Sequence, residues 1–400
     1  MKPRKRHSAV KDRSSALTQR RNKKMARSAH AYVRGNTLKF YEWLQDADAT
    51  LPQGPPVWIC GDCHVGNLGP VANADGEIAI QIRDLDQTVI GNPAHDLVRL
   101  GLSLATAARG SDLPGIATAQ MLEHMILGYE QAFQATKRGG NFSIERPESV
   151  QIAMRRALKR KWKHLARERI EDTHPDIPLG KRFWPISSDE KKALRQLFED
   201  KNTRKLVTLL RSRDNDADIE LLDAAYWMKG CSSLGRLRYA ALISIGGKNG
   251  ELCLIDIKEA IQPAAPRNKK GDMPRDNAQR VVTGAQHLAP YLGERMLAAQ
   301  FMDRSVFLRE LLPQDMKLEI ERLTLEEARK AAWFLAMVVG KAHARQMDSK
   351  ARTAWHKELG RNRSKSLDAP SWLWLSVVDL VASHERAYLE HCRRYATGQD

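Results

Sequence analysis

The sequence has few cysteines and no long apolar run. Its 400 residues include five cysteines, an odd number in a chain long enough to bury a core without disulfides. The longest apolar run, residues 331–340, is far shorter than the ~20 residues that cross a bilayer. The N-terminus is basic, but neither an apolar stretch nor a small-residue cleavage site follows it, which argues against a secretory signal. We therefore expect a cytoplasmic protein with reduced thiols.

Acidic residues are scarce relative to basic ones, and the formal net charge is +17. Residues 1–27 hold eleven Lys or Arg and a single acidic residue, Asp12, and a second basic run spans residues 155–169. These runs are either a solvated tail and helix face, or a surface for nucleic acid or an acidic partner. The chain has no paired Cys/His finger and no aromatic ribonucleoprotein strand, so charge alone does not identify a partner.

Periodicity divides the chain into segments of different character and predicts an α+β fold. We expect a disordered basic tail over residues 1–24, because large apolar residues are few there. The segment 25–223 combines a short β segment with helices. A small β-rich lobe follows over 224–322, and helices over 323–400 complete the chain. Predicted strands cover residues 57–60, 68–71, 77–82, 237–245, 251–257 and 305–311.

The string Gly61-Asp62-Cys63-His64-Val65-Gly66-Asn67 follows the first predicted strand. Phosphoryl transfer requires a carboxylate near the attacking hydroxyl and oxygen ligands for Mg²⁺. Protein kinases place an Asp and an Asn in one loop with four residues between them, and Asp62 and Asn67 have this spacing. Taken alone, such an Asp is more typical of a turn cap than of a catalytic base.

Further carboxylates follow the predicted hairpin. Asp84 and Asp86 stand in Asp-Leu-Asp at the end of a predicted strand, where a carboxylate can hold a metal that bridges phosphates. Asp96 lies in Gly-Asn-Pro-Ala-His-Asp-Leu, a turn that leads into a helix. Each of these motifs is weak evidence for a phosphotransferase when taken alone, whereas their order along the chain is a specific signal.

The same loop allows two other interpretations. Cys60 and Cys63 form a Cys-x-x-Cys pair next to His64, which would suit zinc if a further ligand were supplied. The other cysteines, Cys231, Cys253 and Cys392, are isolated in the sequence. A thioredoxin-like redox pair would require a following helix, and a hairpin is predicted instead.

Candidate nucleotide-binding residues come later in the chain. Gly230, Ser232, Ser233 and Gly235 form a glycine/serine loop before a predicted strand, and such loops bring backbone N–H groups close to phosphates. Lys258 ends the next predicted strand, where a lysine can pair with phosphates. An ordinary turn and a solvent-facing lysine are the structural alternatives.

The ordered motifs resemble those of aminoglycoside phosphotransferases and choline kinases, members of the kinase-like superfamily. The resemblance implies ATP and Mg²⁺ as cofactors and a bilobal fold. It makes Asp62 the catalytic base. It also makes Asn67, Asp84 and Asp86 metal ligands, with His64 and Asp96 as structural support. Leu85 stands where that family usually has an aromatic residue.

The order of the blocks implies a circularly permuted kinase-like fold, since the catalytic segment precedes the β-rich lobe. The helix expected before a kinase catalytic loop corresponds to residues 333–343, near the C-terminus. This arrangement resembles the bacterial domain of unknown function 2252 family over residues 25–347. The shared features include Tyr32-Val33-Arg34-Gly35, Arg280-Val281-Val282-x-Gly284 and Ala342-His343-Ala344-Arg345.

Two departures accompany these resemblances. Ser232 replaces a common middle glycine of the family's loop, and the acidic partner of Lys258 is identified only by position, as Glu294. The leading hypothesis is an ATP- and Mg²⁺-dependent phosphotransferase acting on an unknown hydroxyl acceptor. The alternatives are an AMP transferase on the same fold, or a non-catalytic kinase-like protein whose basic surface binds nucleic acid or an acidic partner.

Overall fold

The computed structural model describes residues 10–138, 146–170, 176–231, 234–247, 250–268, 271–318, 324–361 and 369–395. Helices and strands both contribute, which confirms the predicted α+β class. None of the described helices is long and apolar enough to cross a membrane.

The helices are numbered in chain order. Their bounds are α1 Val10–Met25, α2 Ala29–Gly35, α3 Thr37–Ala47, α4 Pro93–Gly110, α5 Gly115–Arg138, α6 Glu148–Lys159, α7 Trp162–Arg169, α8 Ser188–Glu199, α9 Lys201–Val207, α10 Asn277–Leu288, α11 Pro290–Gly293, α12 Leu325–Ala344, α13 Ser349–Leu359 and α14 Ser371–Tyr395. The strands are β1 Val57–Ile59, β2 Leu68–Ala72, β3 Ile78–Ile82, β4 Val89–Gly91, β5 Phe183–Trp184, β6 Ile219–Trp227, β7 Arg238–Ile245, β8 Glu251–Glu259, β9 Met296–Phe301 and β10 Arg304–Glu310.

Six strands form one antiparallel sheet in the order β5-β6-β7-β8-β10-β9. Alternate residues of its central strands face opposite sides: Leu242 and Leu254 join one apolar cluster, and Ile243 and Ile255 join another. A strand buried on both faces reads as a continuous apolar run, and this run is why β7 and β8 are recognisable in the sequence.

Two short hairpin-like pairs lie outside this sheet. Strands β2 and β3 pair around Asp75-Gly76, which confirms the predicted hairpin. Strand β1 pairs with β4, a three-residue strand that the sequence did not reveal. The largest apolar cluster joins β1 and β4 to α4, α5, α10 and α12, so the loop after β1 begins from the core.

Helix α1 corrects the predicted disorder of the tail over residues 10–24, while residues 1–9 lie outside the described part of the chain. Leu17 is 1% exposed within the apolar cluster on one face of the large sheet. Arg13 pairs with Glu190 at 2.6 Å, and Lys24 Nζ donates to the carbonyl of Gly230 at 2.8 Å. The composition of residues 10–24 does not indicate a helix, because the residues that pack against α1 are distant in the sequence.

Candidate active site at the loop after the first strand

The loop of residues 60–67 (the 60–67 loop) leaves β1 through a tight turn at Gly61. Its φ of +74° lies in the left-handed region, and an added Cβ would stand 2.2 Å from the carbonyl oxygen of Gln87. Tyr41 Oη donates to the carbonyl of Gly61 at 2.7 Å. Glycine is therefore required at the position that turns Asp62 toward the cavity described below.

Asp62 is held by a single buried arginine, Arg99 of α4. Arg99 Nε lies 2.9 Å and Nη2 lies 2.8 Å from Asp62 Oδ1, and the arginine side chain is fully buried. Burial raises the pKa of the Asp62 carboxyl, and the charge of Arg99 opposes that shift. The carboxylate is thus nearly buried and fixed in orientation, as a positioned general base must be.

Asn67 closes the loop on itself. Its Nδ2 donates to the carbonyl of Asp62 at 2.9 Å, and its backbone carbonyl accepts from the N–H of Arg83 at 2.7 Å. The donor end of the amide is therefore used within the loop, and Oδ1 is the end that can act as a metal ligand.

Asp96, at the start of α4, accepts two hydrogen bonds from the loop. Its Oδ2 receives the N–H of Cys60 at 2.7 Å, and its Oδ1 receives the N–H of Gly61 at 2.9 Å. His343, near the end of α12, reaches the same carboxylate, and its other ring nitrogen lies 2.9 Å from Tyr129 Oη. Asp96 thus ties the loop to the start of α4 and, through His343, to the end of α12.

His64, expected as structural support, is a buried residue in the lining of the cavity described below. Burial, with the charges of Arg99 and Arg34, lowers the pKa of His64 well below its usual value. The ring is therefore neutral at physiological pH, and its Nδ1 has no hydrogen-bond partner among the described residues.

Lys258 of β8 lies between two carboxylates of the segment after β3. Its Nζ is 3.5 Å from Asp84 Oδ1 and forms a closer ion pair with Asp86 Oδ2. Partial burial opposes ionisation of Asp84, but Lys258 and Arg309 outweigh it and lower its pKa. Burial and the charge of Asp84 raise the pKa of Asp86. Asp86 Oδ1 is buried without a partner in the described structure.

These oxygens fit the ligand preference of Mg²⁺. Asp84, Asp86 and Asn67 supply carboxylate and amide oxygens, the ligand types that hard divalent cations take. The half-exposed side chain of Asp84 leaves room for water or phosphate oxygens. In this structure the single positive charge of Lys258 offsets part of the negative charge of Asp84 and Asp86.

Glu294 is not the partner of Lys258, which corrects the assignment by position. Its Oε1 accepts from the N–H of Ala74 at 2.6 Å, at the β2–β3 turn. Helix α10, which packs on β9 and β10, contains no acidic residue. The acidic partner of Lys258 could not be predicted from sequence position, because the partner is Asp86, which lies in a distant segment of the chain.

Arg280 of α10 is a positioning residue that the sequence marked only as part of a family motif. It is fully buried and donates to the carbonyl oxygens of Thr88, Asp86 and Ile261, the last two at 3.0 Å. The guanidinium therefore holds the segment that carries Asp84 and Asp86 against the large sheet. A buried arginine in an otherwise apolar helical pattern was the available signal.

The predicted glycine loop joins β6 to β7. Gly230 and Gly235 have φ of +101° and +100°, so both adopt the left-handed conformation at the ends of this turn. Ser232 and Ser233 lie outside the described residues. Gly230 reaches the cavity that Asp62 lines, whereas Gly235 is absent from its lining.

A cavity of about 350 Å³ brings the loop, Asp84 and many cations together, whereas Asp86 and Lys258 are not among its lining residues. Asp62, His64, Asn67 and Asp84 line it. Eight cationic side chains line it as well: Lys24, Arg34, Arg83, Arg169, Lys229, Arg238, Arg309 and Lys317. We call this space the basic cavity. Its cations are scattered over the sequence, and one of them lies in the segment expected to be disordered, so their convergence was not foreseen.

Cys60 and Cys63 do not form part of a metal site among the described residues. Both thiols are buried and free. Their mutual hydrogen bond and burial raise the pKa of Cys60, whereas the same hydrogen bond opposes the rise in the pKa of Cys63 that burial causes. Among the described residues, no three His, Cys, Asp or Glu side chains come together as a metal site. Cys60 Sγ instead lies 3.6 Å from the carbonyl oxygen of Asp84, so the pair helps to pack the loop.

The basic run of residues 155–169 forms α6 and α7, and most of its cations are exposed. Arg160 and Arg169 both pair with Glu168, and Arg169 also lines the basic cavity. Part of this run therefore belongs to the cavity, and the remainder is a solvated basic face.

Comparisons with known proteins place the chain by family. The family model described as an uncharacterized protein conserved in bacteria (DUF2252) matches residues 13–394. The match includes the 60–67 loop, Lys258, α10 and α12. No curated protein and no solved structure matches the chain.

Proposed function

Since the chain belongs to the DUF2252 family of bacterial proteins, we propose a function from its site: an ATP- and Mg²⁺-dependent phosphotransferase acting on a hydroxyl acceptor. The single observation that carries the proposal is the convergence of Asp62, Asn67 and Asp84 on one cavity lined by eight cations. A carboxylate base, oxygen metal ligands and positive charge for phosphates are the parts that phosphoryl transfer requires.

Asp62 would act as the base toward the acceptor hydroxyl. Its carboxylate is only 8% exposed, and Arg99 fixes it from the side of α4. Because burial raises its pKa, the carboxylate accepts a proton more readily than a solvated Asp does. The charge of Arg99 opposes this shift of the pKa and favours the ionised carboxylate.

Asn67, Asp84 and Asp86 would hold Mg²⁺, which when bound neutralises the charge of the donor phosphates. Lys258 already lies beside two of these ligands and would transfer its contact to the phosphates. Gly230, which lines the cavity, would bring its backbone close to the phosphates.

A kinase-like, circularly permuted fold is part of the proposal. Strands β6, β7 and β8, helix α10, and strands β9 and β10 follow one another, and the lysine lies on the third of these strands, as in kinases. The end of α12 contacts the strand before the loop: Gln346 Oε1 accepts from the N–H of Trp58 at 2.8 Å, and its Nε2 donates to the same residue's carbonyl at 3.0 Å. Gln346 lies just after α12, so the contact places the end of this C-terminal helix next to β1. A kinase has the corresponding helix just before its catalytic strand in sequence, and a permuted chain would keep the two side by side.

The charge of the site also supports the non-catalytic alternative, a protein that binds a polyanion without turning it over. Nucleotidyl transfer, in which AMP is moved, would use the same residues. The exposed part of the 155–169 run remains a candidate surface for nucleic acid or an acidic protein. A reducing compartment such as the cytoplasm would suit the five free thiols.

A thermal-shift titration with ATP–Mg²⁺ tests nucleotide binding. A ligand at 100 times its dissociation constant adds about 2.7 kcal/mol, so a functional site gives a clear rise in melting temperature at millimolar ATP–Mg²⁺. We expect Asp84→Asn to reduce the Mg²⁺-dependent part of the shift, and Lys350→Gln, an exposed change on α13, to leave it unchanged. No shift for the wild-type protein would reject the phosphotransferase.

Turnover tests the chemistry. Removing a general base typically slows a reaction about 10²–10⁴-fold, so Asp62→Ala should lose most phosphoryl transfer while retaining ATP–Mg²⁺ binding. Mass spectrometry of the product separates the two transfer reactions, since phosphoryl and AMP groups add different masses. Wild-type turnover in both Asp62→Ala and Asp84→Asn would show that the assignment is wrong.

A further inference from the structure

The basic cavity has more positive charge than its carboxylates balance. Eight Lys and Arg side chains line it, against the carboxylates of Asp62 and Asp84. Asp62 is already paired with Arg99, and Asp84 already lies beside Lys258. Asp256 pairs with the lining residues Arg238 and Arg309, and Glu168 pairs with Arg169, but the eight lining cations outnumber these four carboxylates. A donor nucleotide with Mg²⁺ bound would leave part of this positive charge without a counter-charge, so the cavity is suited to a second anion.

Several of these cations perturb one another. Burial lowers the pKa of Lys229 well below its usual value, and Arg238 and Arg169 lower it further. Burial lowers the pKa of Arg83 to about 10 although Asp315 opposes the shift. Holding like charges together away from water costs free energy, and a bound anion removes that cost.

Three arginines also present unused donors. The Nε atoms of Arg34, Arg169 and Arg309 are buried and have no hydrogen-bond partner among the described residues. Arg169 pairs with Glu168 and Arg309 pairs with Asp256 through other nitrogens of the guanidinium groups. These ion pairs hold the two groups in place, while the Nε–H of each makes no hydrogen bond to a described residue. Buried donors of this kind normally have partners, and guanidinium forks match phosphate oxygens.

The lining also limits the kind of anion. Within the described residues, no Phe, Tyr or Trp side chain lines the cavity. Apart from the imidazole of His64, its uncharged lining residues are Ala31, Gly66, Asn67, Gly230 and Cys231. Sites for nucleosides and other flat rings usually offer apolar or aromatic walls. A cavity of about 350 Å³ lined in this way suits a compact molecule whose surface is mostly phosphate.

We propose that the acceptor of this site is a small soluble molecule that already carries clustered phosphate groups, held by Arg34, Arg169, Arg309 and Lys229 while its hydroxyl faces Asp62. The inference rests on the proposed phosphotransferase function. The acceptor hydroxyl oxygen forms a bond to the γ-phosphorus of ATP, the bond from that phosphorus to the bridging oxygen breaks, Asp62 takes the hydroxyl proton, and ADP leaves. Phosphate groups already on the acceptor take no part in the bond changes and serve to position it.

Calorimetric titration with inorganic tripolyphosphate, without Mg²⁺ or nucleotide, tests the anion site directly. We expect one tripolyphosphate to bind per chain, and orthophosphate to bind at least about tenfold more weakly because it contacts fewer donors. Arg34→Gln and Arg169→Gln should each weaken tripolyphosphate about tenfold or more, since each removes charge-assisted hydrogen bonds. Lys350→Gln, on the exposed face of α13, is the matched control and should bind as the wild type does.

Other outcomes would overturn the proposal. Equal binding of orthophosphate and tripolyphosphate would exclude a site for clustered phosphates. Binding to vesicles that contain phosphatidylinositol phosphates, without binding of soluble tripolyphosphate, would indicate a lipid headgroup instead. If either arginine substitution weakened the ATP–Mg²⁺ shift as strongly as it weakened tripolyphosphate, these arginines would hold the donor phosphates, and the acceptor assignment would be wrong while phosphotransfer stood.

The two proposals fail in distinguishable ways. Asp84→Asn should abolish phosphoryl transfer and leave tripolyphosphate binding as tight as in the wild type or tighter, because it removes a negative charge from the cavity lining. Tripolyphosphate binding without any ATP–Mg²⁺ shift would remove the phosphotransferase function, and the acceptor role with it, while the anion site itself stood.

Discussion

His343 Nε2 lies 3.2 Å from Asp96 Oδ2, and neither side chain is exposed to solvent. The contact joins the end of α12 to the start of α4 across 247 residues of sequence. The same carboxylate receives the N–H groups of Cys60 and Gly61, so it fixes the 60–67 loop to two helices at once. A loop held in this way can present Asp62 without further ordering when substrates bind.

Asp96→Ala should strongly destabilise the protein. The substitution leaves two buried N–H groups without acceptors, each costing about 1–3 kcal/mol, so we expect a loss of about 2–6 kcal/mol in the free energy of unfolding. Urea unfolding measures this loss. Asp216→Ala, at an exposed position, is the control and should change stability by less than about 0.5 kcal/mol. Similar values for the two variants would contradict the bracing role.

Lys258→Met should separate metal binding from nucleotide use. The ammonium now competes with a cation for Asp84 and Asp86, so removing it should leave Mn²⁺ binding without nucleotide as tight as in the wild type or tighter. ATP turnover should nevertheless fall about 100-fold, because the contact to the phosphates is lost. Electron paramagnetic resonance of Mn²⁺ and a turnover assay measure the two effects. Weaker Mn²⁺ binding in Lys258→Met would show that the lysine supports the carboxylates rather than competing for them.

Arg280→Met should act on the metal ligands through the backbone. It removes the donors that hold the carbonyls of Thr88, Asp86 and Ile261, so the segment after β3 loses its anchor. We expect the Mg²⁺ concentration for half-maximal turnover to rise about tenfold, from the loss of charge-assisted hydrogen bonds. Arg280→Lys should recover part of this effect, whereas a purely structural role would lower activity without moving the Mg²⁺ dependence.

Stability should fall with acid because of His384 in α14. Burial lowers its pKa to about 3, whereas an unfolded histidine titrates near 6.5. Below about pH 6.5 the unfolded chain binds a proton that the folded chain does not, so this contribution is complete above pH 6.5 and is lost as the pH falls toward 3.

Between pH 7 and pH 5 the expected loss from this one histidine is about 2 kcal/mol. Urea unfolding of the wild type and of His384→Leu at both pH values isolates it, since the variant should lose less stability by that amount. His164→Gln, at an exposed position of α7, should follow the wild type. Parallel behaviour of His384→Leu and the wild type would show that another group causes the acid sensitivity.

Much of the secondary structure was predictable, and the failures have identifiable causes. Strands β7, β8 and β10 were visible as apolar runs, and α12 was visible from its Thr324 cap, which accepts from the N–H of Glu327. Strands β4, β5, β6 and β9 were missed because short or half-exposed strands leave little periodic signal. Helix α1 was missed because its stability depends on Leu17 and Arg13 meeting distant partners.

Some residues of the candidate site could be predicted from the sequence, and others could not. The motif spacing identified Asp62, Asn67, Asp84 and Lys258, since a loop and two strand ends carry them in a recognisable order. Arg99 as the partner of Asp62 could not be predicted, because ion pairs between separate elements leave no mark on local sequence.

The sequence by itself determined the α+β class, the family, and the ordered carboxylates of the segment that contains the 60–67 loop. It could do so because periodicity and motif spacing are local properties of a chain. Only the tertiary structure decided that Asp86 pairs with Lys258, and that Arg34, Arg169 and Arg309 meet in one cavity with Asp62. Those contacts depend on how the large sheet, α1, α2 and α7 pack together, and packing is settled by the whole chain at once.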